Sequence, residues 1–241
     1  MGVLVFFMSF LSITGGSTIN LMKAESPGPS VSRLVPHVKD TAKILYKIYI
    51  FITVTEILLL CIFGMPLFDS LTLSFGTVGT GGFGVLNSSI ADYSPALQII
   101  ITVFMILFGV NFNLYFLLRL RNWKEALKNE ELHAYLGIIA GSIAIISLNI
   151  VGMYGNILHA FRYASFQVAS IITTTGFCTA NYNLWPELSK TILLCLMIIG
   201  ACAGSTGGGI KVSRLLIMLK SIKKQVKNML HPKAITIVKV N

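Results

Sequence analysis

The sequence has 241 residues, 54% of them hydrophobic and 12% charged, with a mean hydropathy of +0.78. A water-soluble domain carries about twice that charged fraction, so the solvent for most of this surface is a bilayer. Several apolar runs of near membrane-crossing length leave little room for a separate soluble enzyme domain, which places function in the membrane or in short loops.

The formal net charge of +10 is segregated along the chain. Five basic residues lie between Lys23 and Lys47, four between Arg119 and Lys128, and eight between Lys211 and Lys239. Only Arg162 and Lys190 fall elsewhere. The positive-inside rule therefore predicts cytoplasmic segments at 23–40, 119–130 and 221–241, with Asn87 to Ser94 and Asn181 to Lys190 facing outward. We assign the basic tail to the membrane face rather than to nucleic acid.

Residues 1 to 22 are apolar up to Lys23 and lack the basic start of a signal peptide, so they predict a membrane helix. Two long runs follow, Ile44 to Gly64 and Ala96 to Leu118, each read as one crossing. Between them Pro66 to Phe75 is too short to span a bilayer at a helical rise of about 1.5 Å per residue. It predicts a short re-entrant helix opened by Pro66, which the Gly-rich run from Gly76 to Gly84 does not continue.

The same grammar returns after the second basic cluster. Leu132 to Gly152 is a long run, Ile157 to Ile171 a short one, Thr173 to Phe177 a Thr/Gly segment, and Thr191 to Leu219 a long run broken by glycines. Thr80-Gly81-Gly82-Phe83 falls on Thr174-Thr175-Gly176-Phe177 at an offset of 94, and Asn87 falls on Asn181 at the same offset. Pro95 and Pro186 each open the closing helix of a unit. Ile13-Thr14-Gly15-Gly16 repeats the character of Ser205-Thr206-Gly207-Gly208, so the chain reads as two complete units and the tail of another.

Irregular backbone at membrane depth is tolerated only where protein buries it or where it lines a watery cavity. Two Thr-x-Gly-Phe segments thus point to a cavity. Successive carbonyls of a glycine-containing strand can replace the water of a dehydrated cation, and a short helix before each strand aims its partly negative C-terminal end at the ion. The plainer alternative is a pair of re-entrant turns that only pack.

These residues resemble the TrkH/KtrB-type potassium uptake proteins, relatives of the plant HKT transporters. The resemblance runs through Ala24-Glu25-Ser26-Pro27-Gly28-Pro29, both Thr/Gly segments, Gly204 to Lys211 and His231-Pro232. It implies an all-α integral membrane protein built from helix, pore-helix, filter and helix repeats of potassium-channel type. Residues 1–22 would be the inner helix of an incomplete first repeat, 41–118 the second repeat, 131–220 the third with a gate loop, and 221–241 a basic cytoplasmic connector. Gly82 and Gly176 would be filter glycines, with Thr80, Gly81, Phe83, Thr174, Thr175 and Phe177 completing the ion-binding strands. Gly204, Ser205, Thr206, Gly207, Gly208 and Gly209 would form an intramembrane gate loop, with Lys211 and Arg214 as charges that hold it or repel a resting cation. Ordinary snorkelling is the alternative for both charges.

The resemblance further implies a potassium pathway in a multi-pass plasma-membrane protein, no cofactor, a homodimer among membrane lipid, and a separate cytoplasmic nucleotide-binding regulatory subunit. One pore of this type uses four filter strands and the sequence carries two, which predicts a piece of a longer protein or an assembly of halves. Sodium or mixed transport and a non-conducting scaffold are the alternatives. An enzyme would require a convergent nucleophile and base or a metal site, and none is legible.

Other features carry less. Gly79 to Gly84 matches G-x-G-x-x-G without a βαβ context, and Gly204 to Lys211 lacks the spacing and the Ser or Thr of a phosphate loop. Glu56, mid-way along an apolar run with Thr53 and Thr55 nearby, is a candidate for ion handling or for burial against protein. Cys61, Cys178, Cys195 and Cys202 form no Cys-x-x-Cys, and His37, His133, His159 and His231 have no ligand spacing.

Overall fold

A computed structural model describes residues 38–230, with side chains from Ile44 to Met229. The expected helix at 1–22, the Ala24 to Pro29 motif and the connector from His231 onward lie outside the described residues. Within them the fold is all-helical.

Helix α1 (Val38–Ile62) contains a span from Ile44 to Ile62 long and apolar enough to cross a membrane. Its Phe51 and Ile62 are more than two-thirds exposed, as lipid-facing positions are, since apolar packing between helices has no hydrophobic driving force in a bilayer. Helix α2 (Leu67–Val78) follows Pro66, which caps it rather than lying in its first turn. The helix runs through Gly76 to Val78, further than the glycine run predicts. Gly76 is there for packing: a Cβ at that position would lie 2.9 Å from the Phe177 ring.

The expected single crossing from Ala96 to Leu118 is two helices. Helix α3 (Pro95–Phe108) has its proline in the first turn, and helix α4 (Phe112–Arg119) leaves it at 88°. The Asn111 side chain accepts from the Asn113 N–H at 3.0 Å and caps the new helix, a contact of the kind worth about 1 kcal/mol. A short helix α5 (Trp123–Leu127) lies in the loop after it.

Helix α6 (Glu130–Tyr154) is the second unbroken span. Asn129 caps its start through Leu132 N–H, and Gly155, at φ 65°, ends it in the left-handed conformation that glycine adopts without penalty. Helix α7 (Ile157–Ile172) begins at once, capped by Asn156. A 3-10 turn (Tyr182–Leu184) leads to helix α8 (Glu187–Ile199), and helix α9 (Val212–Leu230) carries ten residues of the expected connector in helical form.

The two units share a core. Phe166, Ala169 and Phe177 from the second pack with Leu60, Leu73, Leu97, Ile101 and Met105 from the first. The loops are stitched as well: Ile90 N–H donates to Cys178 O at 3.0 Å, and Cys178 N–H donates to Ser89 Oγ at 3.1 Å.

Candidate functional site

The segments after α2 and α7 repeat one another in three backbone bonds. Gly79, Thr80 and Gly81 N–H donate back to Phe75, Thr77 and Gly76 carbonyls. Thr173, Thr174 and Thr175 N–H donate back to Ala169, Ile171 and Ser170, the same positions displaced by 94. The backbone turns alike too: Thr80 and Thr174 have φ of 50° and 58°, and Gly82 and Gly176 have φ of 67° and 90°. A non-glycine residue in this region is held there by its surroundings at a cost of order 1–3 kcal/mol.

The consequence is a set of carbonyls with nothing to accept. Those of Thr80, Gly81, Gly82, Thr174 and Thr175 take no hydrogen bond from protein among the described residues. The two segments also touch, because a Cβ on Gly82 would lie 2.1 Å from the Thr175 carbonyl oxygen. Around Gly176 the corresponding space is open. The phenylalanines differ: Phe177 is fully buried against α2 and its carbonyl accepts from Ser170 Oγ at 2.6 Å, whereas Phe83 is 79% exposed.

Packed against these segments lies the glycine run. Helix α8 stops at Gly200, fourteen residues after Pro186, and α3 stops at Gly109, the same number after Pro95, so the two closing helices break at equivalent places. The breaks grip each other. Cys202 N–H donates to Gly109 O at 3.0 Å, Phe112 N–H to Gly204 O at 3.2 Å, and Thr206 Oγ1 to Phe108 O at 3.2 Å. Gly200 and Gly209 approach so closely that a Cβ on either would overlap the other's neighbourhood, Gly208 O lying 2.3 Å from a Cβ on Gly200.

The run is tied to the Thr/Gly segments as well as to the break at Gly109. Thr80 Oγ1 donates to Thr206 O at 3.1 Å, and Thr174 Oγ1 accepts from Gly208 N–H at 2.7 Å. Thr80 and Thr174, equivalent at the offset of 94, thus both hold the loop. Gly207 sits where a Cβ would meet the Thr173 carbonyl at 2.8 Å.

Lys211, in left-handed conformation at φ 83°, donates from Nζ to Gly207 O across the loop, so it is not directed away as a snorkelling lysine is. Arg214 is exposed on α9. The acid that meets the start of the loop is Glu131, which sequence reasoning misses. It is 6% exposed, accepts from Ala203 N–H at 2.6 Å, and faces the Asn111 side chain and the N–H and hydroxyl of Ser213. One carboxylate thereby joins α6, the α3–α4 break, the loop and the start of α9.

Glu131→Ala leaves the Ala203 N–H unpaired in a buried place, which costs about 1–3 kcal/mol. The expected result is a lower melting temperature in detergent and faster protease cleavage between residues 200 and 211. An unchanged melting temperature and cleavage rate would show that the carboxylate does not hold the loop.

Glu56 is fully buried on α1 beside Thr77 of α2. The hydroxyls of Thr53 and Thr55, expected as its partners, instead donate to the Tyr49 and Phe51 carbonyls of their own helix. A threonine in an apolar helix satisfies itself in this way.

Comparison with known proteins covers the whole length of the chain. The family model for TrkH, described as cation transport protein, matches residues 1–241. The chain is 36% identical over 245 residues to the Trk system potassium uptake protein TrkH of Salmonella typhimurium, covering 100% of this chain and 51% of that protein. It is 32% identical over 248 residues to the Trk system potassium uptake protein TrkG of Escherichia coli K12, covering 100% of this chain and 50% of that protein. Among solved structures it superimposes on the potassium transporter TrkH from Vibrio parahaemolyticus with a TM-score of 0.82 at 31% identity, covering 100% of this chain and 50% of that one. The chain therefore spans about half the length of the curated relatives it matches. It belongs to the TrkH family of cation transport proteins: a protein of the plasma membrane, all-helical among the described residues.

Proposed function

We propose that the chain supplies half of the ion pathway of a Trk-type potassium uptake system. Thr80 to Phe83 and Thr174 to Phe177 are two of its filter strands, and Gly204 to Gly209 form the gate. The observation that carries this reading is the set of five strand carbonyls without a protein donor among the described residues, presented by two segments of repeated geometry. A dehydrated potassium ion needs such a set of oxygens. The repeats are assigned as 41–118 and 131–220, with 1–22 as the end of a first repeat and 221–241 as the connector to a fourth.

The loop is the gate because obstruction and selection then act at different depths on one axis. Its ties to Thr80 and Thr174 support contact with both strands in the closed state. Lys211 holds it at Gly207, and Glu131 holds Ala203 just before it. The ion is cargo, so no organic cofactor enters the cycle.

The pore works as a homodimer, with a cytoplasmic nucleotide-binding subunit acting on the loop from below. Helix α9, with Lys220, Lys223, Lys224 and Lys227, is the contact surface this requires. The orientation follows the charge bias. Cysteine placed at Asn87, which is exposed, is expected to react with an impermeant maleimide from outside, and cysteine at Asn122 only after permeabilisation. The reverse pattern would overturn the topology.

The reading is tested by potassium uptake in cells lacking their own uptake systems and expressing the intact transporter. Growth at low potassium is expected with the native sequence and not with Gly82→Ser. Equal growth with both would remove this strand from the pathway.

A further inference from the structure

Between the two units, lined by α3, α6 and α7, lies a crevice of about 580 Å³. That volume falls within the range of about 300–1,000 Å³ typical of small-ligand sites. Its walls are Val103 and Ile106 of α3, Ile143 of α6 and Phe161 of α7, all apolar. His159 and Arg162, one turn apart on α7, are the basic groups in the lining.

Arg162 is the unusual member. Its Nε is buried without a hydrogen-bond partner, and it makes no ion pair among the described residues. Its guanidinium rests 4.7 Å from the centroid of the Tyr163 ring. Tyr163 stacks on Tyr154 at 4.7 Å, and Tyr154 accepts from Trp185 Nε1 at 3.1 Å. Tyr154 and Trp185 belong to the protein's own core, and Tyr154 is the last residue of the spanning helix α6, so the cluster lies at the end of that span. Arg162 stands five residues into α7, about 7–8 Å of helix rise from its start, immediately after the end of the spanning helix α6.

A permanent cation at the mouth of an apolar membrane crevice needs an anion, and the anion present at that depth is a lipid phosphate. Arginine is the side chain whose planar fork suits a phosphate best. We propose that this crevice binds one glycerophospholipid, its phosphodiester paired with Arg162 and an acyl chain laid along Val103, Ile106 and Ile143. The lipid would bridge the closing helix of one unit and the short helix of the next. The site is independent of the ion-pathway reading, because neither the strands nor the loop contributes to it.

The test uses the protein in nanodiscs containing equal amounts of phosphatidylglycerol and an uncharged galactosyl diacylglycerol, released into native mass spectrometry. The phospholipid adduct is expected to exceed the galactolipid adduct by roughly tenfold, the contribution of one charge-assisted contact. Arg162→Gln is expected to remove that preference and Arg162→Lys to retain most of it. Val103→Trp, which fills the crevice, is expected to abolish both adducts. Equal adducts on the native protein would overturn the phosphate assignment even if a variant failed to fold. A Val103→Trp protein that keeps its lipid but loses its dimer would show that a second copy, not a lipid, occupies the crevice.

Discussion

Gly82→Ser is expected to lower the potassium-to-sodium uptake ratio of the intact transporter by about tenfold or more, and to do so more severely than Gly176→Ser. Both glycines have positive φ, at 67° and 90°, where a side chain costs about 1–2 kcal/mol. Only Gly82 carries a second penalty, because its added Cβ would fall 2.1 Å from the Thr175 carbonyl oxygen. That oxygen must move, and it belongs to the other strand. One substitution therefore displaces carbonyls in two strands, whereas around Gly176 the side chain enters open space. Parallel rubidium and sodium uptake, normalised to transporter in the membrane, measures the difference. Equal effects at the two positions would mean that the strands do not meet as described.

Shortening the loop by removing Ser205 to Gly208 is expected to raise the maximal uptake rate severalfold while leaving ion preference nearly intact. The deletion removes the ties from Thr80 to Thr206 and from Thr174 to Gly208, together with the Lys211 contact to Gly207. It leaves the backbone returns of both strands, such as Gly81 N–H to Gly76 O and Thr175 N–H to Ser170 O, in place. If the run were part of the filter, selectivity would fall together with any rate change. If it served only close packing, the protein would fail to accumulate. A folded deletion protein with unaltered flux would contradict the gate assignment.

The repeat made the short helices and the Thr/Gly segments legible before any coordinates, because offset and composition agree at several positions. The break at Gly109 was not legible in the same way. Ala96 to Leu118 is apolar almost throughout, so hydropathy reads one crossing, and the bonds that stabilise the bend come from Cys202, Gly204 and Thr206, roughly a hundred residues away. The signal was present in the spacing from Pro95 to Gly109, which matches that from Pro186 to Gly200.

Glu131 was hidden for a related reason. Beside Glu130 it reads as an ordinary acid in the first turn of a helix, where the helix dipole favours it. Its burial depends on a loop that arrives more than seventy residues later. Gly76 shows the opposite error, since a glycine that looks like a helix stop is a seat for the Phe177 ring.

The central claim is that the two Thr/Gly segments coordinate the transported ion with their carbonyls. The most direct measurement is anomalous scattering from crystals of the intact transporter grown in rubidium or thallium. A peak within coordination distance of the Thr80, Gly81, Thr174 and Thr175 carbonyls, weakened by Gly82→Ser, is the predicted result. Ion peaks confined to other parts of a conducting protein, with these carbonyls unoccupied, would contradict it.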